Sequence, residues 1–171
     1  IKRAGADLTT GRADAMLAGG CSRPDALYRQ MAFTQLTSLY PTGRSSPFFA
    51  AAACLVVGEG AGVFVLKRLS DALAQGDMVH AVFHAAGLSN DLAGSLLAPA
   101  AEGQLRAMRT AYRAAGWTPT DVDLVECHAT GTPVGDAVEF DSLKELWGPA
   151  GWKPGGCAIG SVKSTVGHLL T

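Results

Sequence analysis

The sequence predicts an α/β fold in which helices cover both faces of the sheets. Two observations carry this. Short apolar runs alternate along the chain with longer stretches of helical periodicity. Glycine is abundant, 21 of 171 residues, and alanine more so, a composition that lets helices, strands and ligands approach the backbone closely.

Taken in order, residues 1–10 read as a helix tail, with Ile1, Gly5 and Leu8 on one side and Gly11 as its stop. Residues 13–18 form a short strand closed by Gly19-Gly20. Residues 24–36 are helical, started by Pro24. Residues 40–47 are a loop rich in breakers. Residues 54–69 form a strand pair or one long bent strand, interrupted by Gly58-Glu59-Gly60-Ala61-Gly62. Residues 70–75 make a helical turn ending at Gly76, and residues 79–86 are rich in strand formers. Residues 100–115 are the clearest helix, because Leu105, Met108, Tyr112 and Ala115 recur at helical spacing; Gly116 ends it. Residues 122–127 are a short strand, 136–147 a second strong helix and 157–159 another short strand. The second helix opens with Asp136 and Glu139, a variant of the capping box.

Composition narrows the function classes. Charged residues are 17% and the net charge is -1, against roughly 25% charged residues in an average domain. No disordered acidic or basic tail has this balance, and no sequence-wide basic field exists to hold nucleic acid or anionic lipid. The longest apolar run covers residues 48–57, short of the roughly 18 needed to span a membrane. Cys21, Cys54, Cys127 and Cys157 are widely spaced with no CxxC pair, which reads as free thiols in a reducing cytoplasm. The opening carries no signal-peptide pattern. It begins at Ile1 within a helical pattern, and the chain stops just after Leu169-Leu170. Both features lead us to expect a piece of a longer chain.

The strongest chemical signal runs from Val125 to Asp136. An apolar strand leads into His128, then into a loop of small hydroxyl and glycine residues, then into a helix. Ligands in α/β folds sit at the carboxyl ends of strands, so His128 stands where a catalytic imidazole is expected. A core histidine satisfied by backbone is the competing reading of a lone His. The flanking Thr130-Gly131-Thr132-Pro133 and Gly135-Asp136 favour the catalytic one. Thr130 and Thr132 are placed to hold a polar ligand chain. A second signal runs from Gly160 to His168, where another apolar strand ends in a polar turn carrying Lys163 and His168. Here Gly167 frees backbone space beside the imidazole.

Together these segments resemble the β-ketoacyl synthase family, the condensing enzymes of fatty acid and polyketide assembly. The family motif His-Gly-Thr-Gly-Thr-x-x-Gly-Asp-x-x-Glu is matched from His128 to Glu139, with Ala129 for the first Gly. The motif Gly-Ser-x-Lys-x-Asn-x-Gly-His is matched from Gly160 to His168, with Thr165 for the Asn. Leu17-Ala18-Gly19-Gly20, Gly43-Arg44 with Pro47-Phe48, and Val57-Gly58-Glu59-Gly60-Ala61-Gly62 running into Val65-Leu66-Lys67-Arg68-Leu69 match in the right order. The style is closest to large synthases of polyketides or polyunsaturated fatty acids.

The resemblance implies a thiolase-like, layered α-β-α-β-α fold, incomplete in this chain, with residues 1–171 forming the C-terminal portion of a ketosynthase domain without internal linker. They would hold the end of the first half and the start of the second. It also implies a cytoplasmic homodimer within a multidomain synthase, without nucleic acid, membrane, metal or bound cofactor. The family nucleophile, a Cys, would lie several residues before Ile1. Acyl and malonyl thioesters would arrive on the phosphopantetheine arm of an acyl carrier protein. His128 and His168 would donate to the thioester oxygen during decarboxylative Claisen condensation. Lys163 would support His168 and pair with Glu139, while Thr130 and Thr132 would contact the pantetheine arm. Helix capping is the competing role for Glu139. Ala129 is expected to cost little; Thr165 puts any ligand bond of the family Asn in doubt. Two rivals remain, a catalytically silent partner subunit like the chain-length factors and an unrelated nucleotide-binding oxidoreductase.

Other signals are set aside. The run Gly58-Glu59-Gly60-Ala61-Gly62 leads into strand formers, not the helix a dinucleotide loop needs. His80 and His84 on a strand would lie roughly 13 Å apart, too far for one metal. Cys127 should face away from His128 and pack. Arg106, Arg109 and Arg113 form a stripe that reads as a solvated face, with carrier docking as the alternative.

Overall fold

The computed structural model describes residues 1–23, 27–35, 46–49, 55–94, 99–151 and 153–169. Helix α1 (Lys2–Thr9) buries Ala4 and Leu8, and Gly11 turns the chain out of it in the left-handed region. Strand β1 (Ala15–Ser22) pairs antiparallel with β2 (Gly60–Lys67), from Ala15 opposite Lys67 to Ser22 opposite Gly60. The ribbon departs from the sequence expectation. Gly19-Gly20 do not close β1 but lie inside the ladder, opposite Val63 and Gly62. Close approach explains Gly19, on which a Cβ would sit 2.2 Å from the Gly62 carbonyl oxygen, whereas around Gly20 such an atom would meet nothing within 4 Å. Likewise Gly60 and Gly62 belong to β2 instead of interrupting a strand.

Helix α2 (Leu27–Gln35) lies within the expected 24–36 helix; Pro24, Leu36, Cys54 and most of the 40–47 loop fall outside the described residues. Helix α3 (Leu69–Ala74) is the expected short turn. Arg68 at its start donates to the carbonyls of Leu8 and Ala13 and pairs with Asp14 and Asp71, tying α1, β1 and α3 together.

The expected strand at 79–86 does not form; residues 77–91 carry neither helix nor strand. Strand-forming side chains need a paired neighbour, and among the described residues this segment has none. Helix α4 (Ala101–Ala115) ends at Gly116 with φ 70, as expected.

The functional layer follows. Strands β3 (Leu124–Glu126) and β4 (Ala158–Gly160) pair in parallel, Leu124 opposite Ala158 and Glu126 opposite Gly160. Parallel strands need a crossover, here made by helix α5 (Pro133–Trp147). That helix starts three residues earlier than expected, because Pro133 is pre-shaped for the first helical position; Asp136 is therefore inside the helix and not its cap. A short helix α6 (Lys163–Val166) follows β4. The core beneath this layer is Cys127, Ala129, Leu143 and Trp147, with Phe48, Met108 and Ile159 packed against it, and α4 packs against α5. Along the other ribbon, Leu17, Val63, Phe64 and Val65 are each at least 60% exposed, although α1 packs against both of its strands. No helix among the described residues is long and apolar enough to cross a membrane.

Candidate active site

The parallel pair delivers two polar segments to one end. His128 lies two residues beyond β3, and Lys163 and His168 lie just beyond β4. Cys127 N–H donates to the Gly160 carbonyl at 2.8 Å, extending the pairing to the edge of the site. Glu126 then reaches across, its Oε1 accepting from Val162 N–H at 2.8 Å. The two imidazoles meet there: the ring centroids of His128 and His168 are 5.3 Å apart and the planes stand at 84°.

Two carboxylates from α5 shape the His128 loop. Glu139 accepts from the backbone N–H groups of His128 and Ala129, each at 2.7 Å. This corrects two expectations. Among the described residues no ion pair joins Lys163 to Glu139; the carboxylate is turned onto main-chain donors instead. Nor does Glu139 cap its own helix, which begins six residues before it.

Asp136 is buried. Its Oδ1 accepts from Gly131 N–H at 3.1 Å, and its Oδ2 accepts from Phe48 N–H at 2.9 Å. It thereby bolts the Pro47-Phe48 turn to the His128 loop, and the Phe48 ring meets Phe140 edge-on at 6.4 Å.

The loop is tightly bent. Ala129 has φ 33 and no exposed surface, so its methyl is buried on a left-handed backbone. A left-handed residue with a Cβ costs roughly 1–2 kcal/mol, where a glycine would cost almost nothing. The hydroxyls of Thr130 and Thr132 are 3.0 Å apart. Gly135 leaves them room, since a Cβ there would lie 2.6 Å from Thr132 Oγ1.

His168 is half-buried, and its pKa lies below the usual imidazole value. Burial is the main cause, followed by the His128 ring and the Lys163 charge. The charged form is disfavoured, so near neutral pH the ring is neutral and has one N–H to donate. Cys127 is buried, its thiol pushed up to about 11 by burial and the Glu139 charge; it packs, as expected, and does not react. Thr165 is exposed on α6.

Other sequence signals lie apart from the imidazoles. Arg106 is bound by both Glu102 oxygens and the Asn90 carbonyl, and Arg109 by Glu145. These pairs border a groove of about 400 Å³ with Tyr112, Arg113 and Trp117. The His84 ring packs against Trp117 with centroids 4.7 Å apart and planes tilted by 47°. Sequence reasoning missed Glu126, the bridging role of Asp136 and the need for glycine at position 135. A lone carboxylate at the end of an apolar strand was the available signal for the first.

Comparison with known proteins places this geometry. The family described as beta-ketoacyl synthase, N-terminal domain, matches residues 1–72, and beta-ketoacyl synthase, C-terminal domain, matches residues 80–171. A mycocerosic acid synthase-like polyketide synthase of Mycolicibacterium smegmatis is 41% identical over 162 residues, covering 94% of this chain and 8% of that protein. A phenolphthiocerol/phthiocerol polyketide synthase polypeptide of Mycobacterium tuberculosis is 41% identical over 160 residues, covering 91% of this chain and 10% of that protein. This chain therefore spans a tenth or less of those relatives. Among solved structures, the ketosynthase from module 6 of the bacillaene synthase of Bacillus subtilis superposes with TM-score 0.92 at 35% identity, covering 98% of this chain and 30% of that one. The PfaC keto synthase-chain length factor superposes with TM-score 0.91 at 40% identity, covering 98% of this chain and 18% of that one.

Proposed function

The chain belongs to the β-ketoacyl synthase family, with the thiolase-like α/β fold of ketosynthases, and we propose that it carries the decarboxylating half of a condensing site. One observation carries this reading: two imidazoles from different segments stand 5.3 Å apart, edge to face, close enough for both to reach one oxygen atom between them.

In this reading malonyl arrives as a thioester on the phosphopantetheine arm of an acyl carrier protein. Its C–C bond to the carboxylate breaks, CO2 leaves, and the electron pair delocalises onto the thioester oxygen as an enolate. His128 and His168 each donate an N–H to that oxygen. Such a preorganised donor is worth about 2.7–4 kcal/mol of barrier. The enolate carbon then attacks the carbonyl of an acyl chain held on a cysteine, and the cysteine thiolate leaves. The product is a β-ketoacyl carrier thioester one two-carbon unit longer.

The lowered pKa of His168 serves this role, because a neutral ring donates its N–H to the enolate oxygen without carrying the extra proton that would quench the enolate carbon. Lys163 contributes its charge to that neutrality. The hydroxyls of Thr130 and Thr132 supply polar partners for the pantetheine arm. The implied setting is a cytoplasmic homodimer within a multidomain synthase, with residues 1–171 as part of its ketosynthase domain and no resident cofactor.

A catalytically silent partner subunit remains the second reading, and the PfaC relative's name joins keto synthase with chain length factor. The test is His128→Ala in the full-length protein, followed by CO2 release from malonyl carrier protein. A loss of roughly 100-fold or more supports the condensing reading. Unchanged release, or no release by the unaltered protein, overturns it.

A further inference from the structure

The run Gly58-Glu59-Gly60-Ala61-Gly62 has no part in the chemistry described so far, and its first glycine sits differently from the others. Gly58 N–H donates to the His168 carbonyl at 2.9 Å, and His168 N–H donates to the Val56 carbonyl at 2.7 Å. These bonds make a single parallel rung between Val57 and His168. The two backbones touch from both sides. A Cβ on Gly58 would lie 2.0 Å from the Val166 carbonyl oxygen. One on Gly167 would lie 2.9 Å from the Val56 oxygen and 3.0 Å from Gly58 N. A main-chain carbonyl cannot swing aside as the end of a side chain can. Around Gly62, by contrast, nothing comes within 4 Å of such an atom.

We propose that Gly58 is a positioning residue for His168: facing Gly167, it lets residues 56–58 hold the His168 backbone by two hydrogen bonds, and so sets the ring against His128. This rests on the condensing reading above, in which His168 is one of two donors to the developing oxyanion. It gives the segment that leads into β2 a share in building the site. Placement explains why the same residue type matters at position 58 and not at position 62.

The test compares Gly58→Ala, Gly167→Ala and Gly62→Ala in the full-length protein. Two rates are read: CO2 release from malonyl carrier protein, and acylation of the protein by an acyl thioester, a step in which the condensing reading above gives His168 no part. Circular dichroism follows folding. Gly58→Ala should lower CO2 release roughly 100-fold, the cost of misplacing a donor by about 1 Å, with acylation near the unaltered rate. Gly167→Ala, whose Cβ would meet main-chain atoms and whose φ of 75 suits glycine, should also lower CO2 release, and Gly62→Ala should change neither rate. Normal CO2 release in folded Gly58→Ala overturns the proposal, as does an equal fall in both rates, which marks a purely structural role. If Gly58→Ala does not fold, Gly167→Ala decides by the same pair of rates. If neither folds, the glycine pair is a requirement of the fold and the proposal is overturned. His168→Ala alongside separates the two ideas: unchanged CO2 release there overturns the condensing reading itself, whereas a slow His168→Ala with a normal Gly58→Ala overturns the positioning role alone.

Discussion

Glu139→Ala removes the carboxylate to which both loop amides donate. The His128 and Ala129 N–H groups each lose an acceptor at 2.7 Å. Hydrogen bonds to a charged acceptor contribute about 1.5–3 kcal/mol apiece, so the pair contributes at most about 3–6 kcal/mol. Exposure lowers that figure unevenly. His128 is exposed and its amide can bond water, whereas Ala129 has no exposed surface. The expected loss of stability is therefore about 2–3 kcal/mol. Function should suffer more. Ala129 sits in a left-handed conformation costing roughly 1–2 kcal/mol, and without its acceptor the loop relaxes and carries His128 with it. A displacement near 1 Å lowers decarboxylation roughly 100-fold. Glu139→Gln keeps one acceptor oxygen and should recover part of both losses. Thermal melting and CO2 release from malonyl carrier protein read the two effects. A double variant with Lys163→Gln adds a control: with no Lys163–Glu139 pair, the two changes should act additively on stability. Unchanged melting and CO2 release in Glu139→Ala, or strong coupling to Lys163, would refute this reasoning.

Two other outcomes follow from the site. The pKa of His168 is lowered below its usual 6.5 by burial, then His128, then Lys163. As pH falls below 6.5 the unfolded chain takes up the proton first, so this group's stability is present above that value and is lost as pH falls through the lowered folded one. CO2 release should hold across the same window, and Lys163→Gln, by removing one of the lowering charges, should move the acid limb of the pH profile upward. Ala129→Gly should be nearly neutral in thermal melting, because relief of roughly 1–2 kcal/mol of left-handed strain is offset by losing a buried methyl worth about 0.8 kcal/mol and by glycine's greater freedom when unfolded.

The imidazole pair is legible in the sequence because each histidine ends a short apolar run amid hydroxyls and glycines, and strand ends gather in α/β folds. Helix α4 is legible for a related reason, its apolar residues recurring at one spacing up to a terminal glycine. What stays hidden depends on main-chain groups that no residue name encodes. The family resemblance implies a lysine partner for Glu139, while the main-chain N–H groups of His128 and Ala129 that it takes instead are not visible in a sequence. The handedness of Ala129 is hidden for the same reason. Residues 79–86 carry strand-forming side chains, yet a strand also needs a neighbour, and propensity does not supply one. Gly19 and Gly20 look like a stop by residue type, yet both lie within the ladder, and at Gly19 the close approach of β2 leaves no room for a Cβ.

A crystal structure of the full-length protein with an amide analogue of malonyl-pantetheine, whose carbonyl stands in for the thioester carbonyl, would test the shared oxygen directly. One nitrogen of His128 and one of His168 should each lie about 2.7–3.2 Å from that single carbonyl oxygen. An analogue whose carbonyl reaches neither ring, or only one while the other turns away, would contradict the two-donor site.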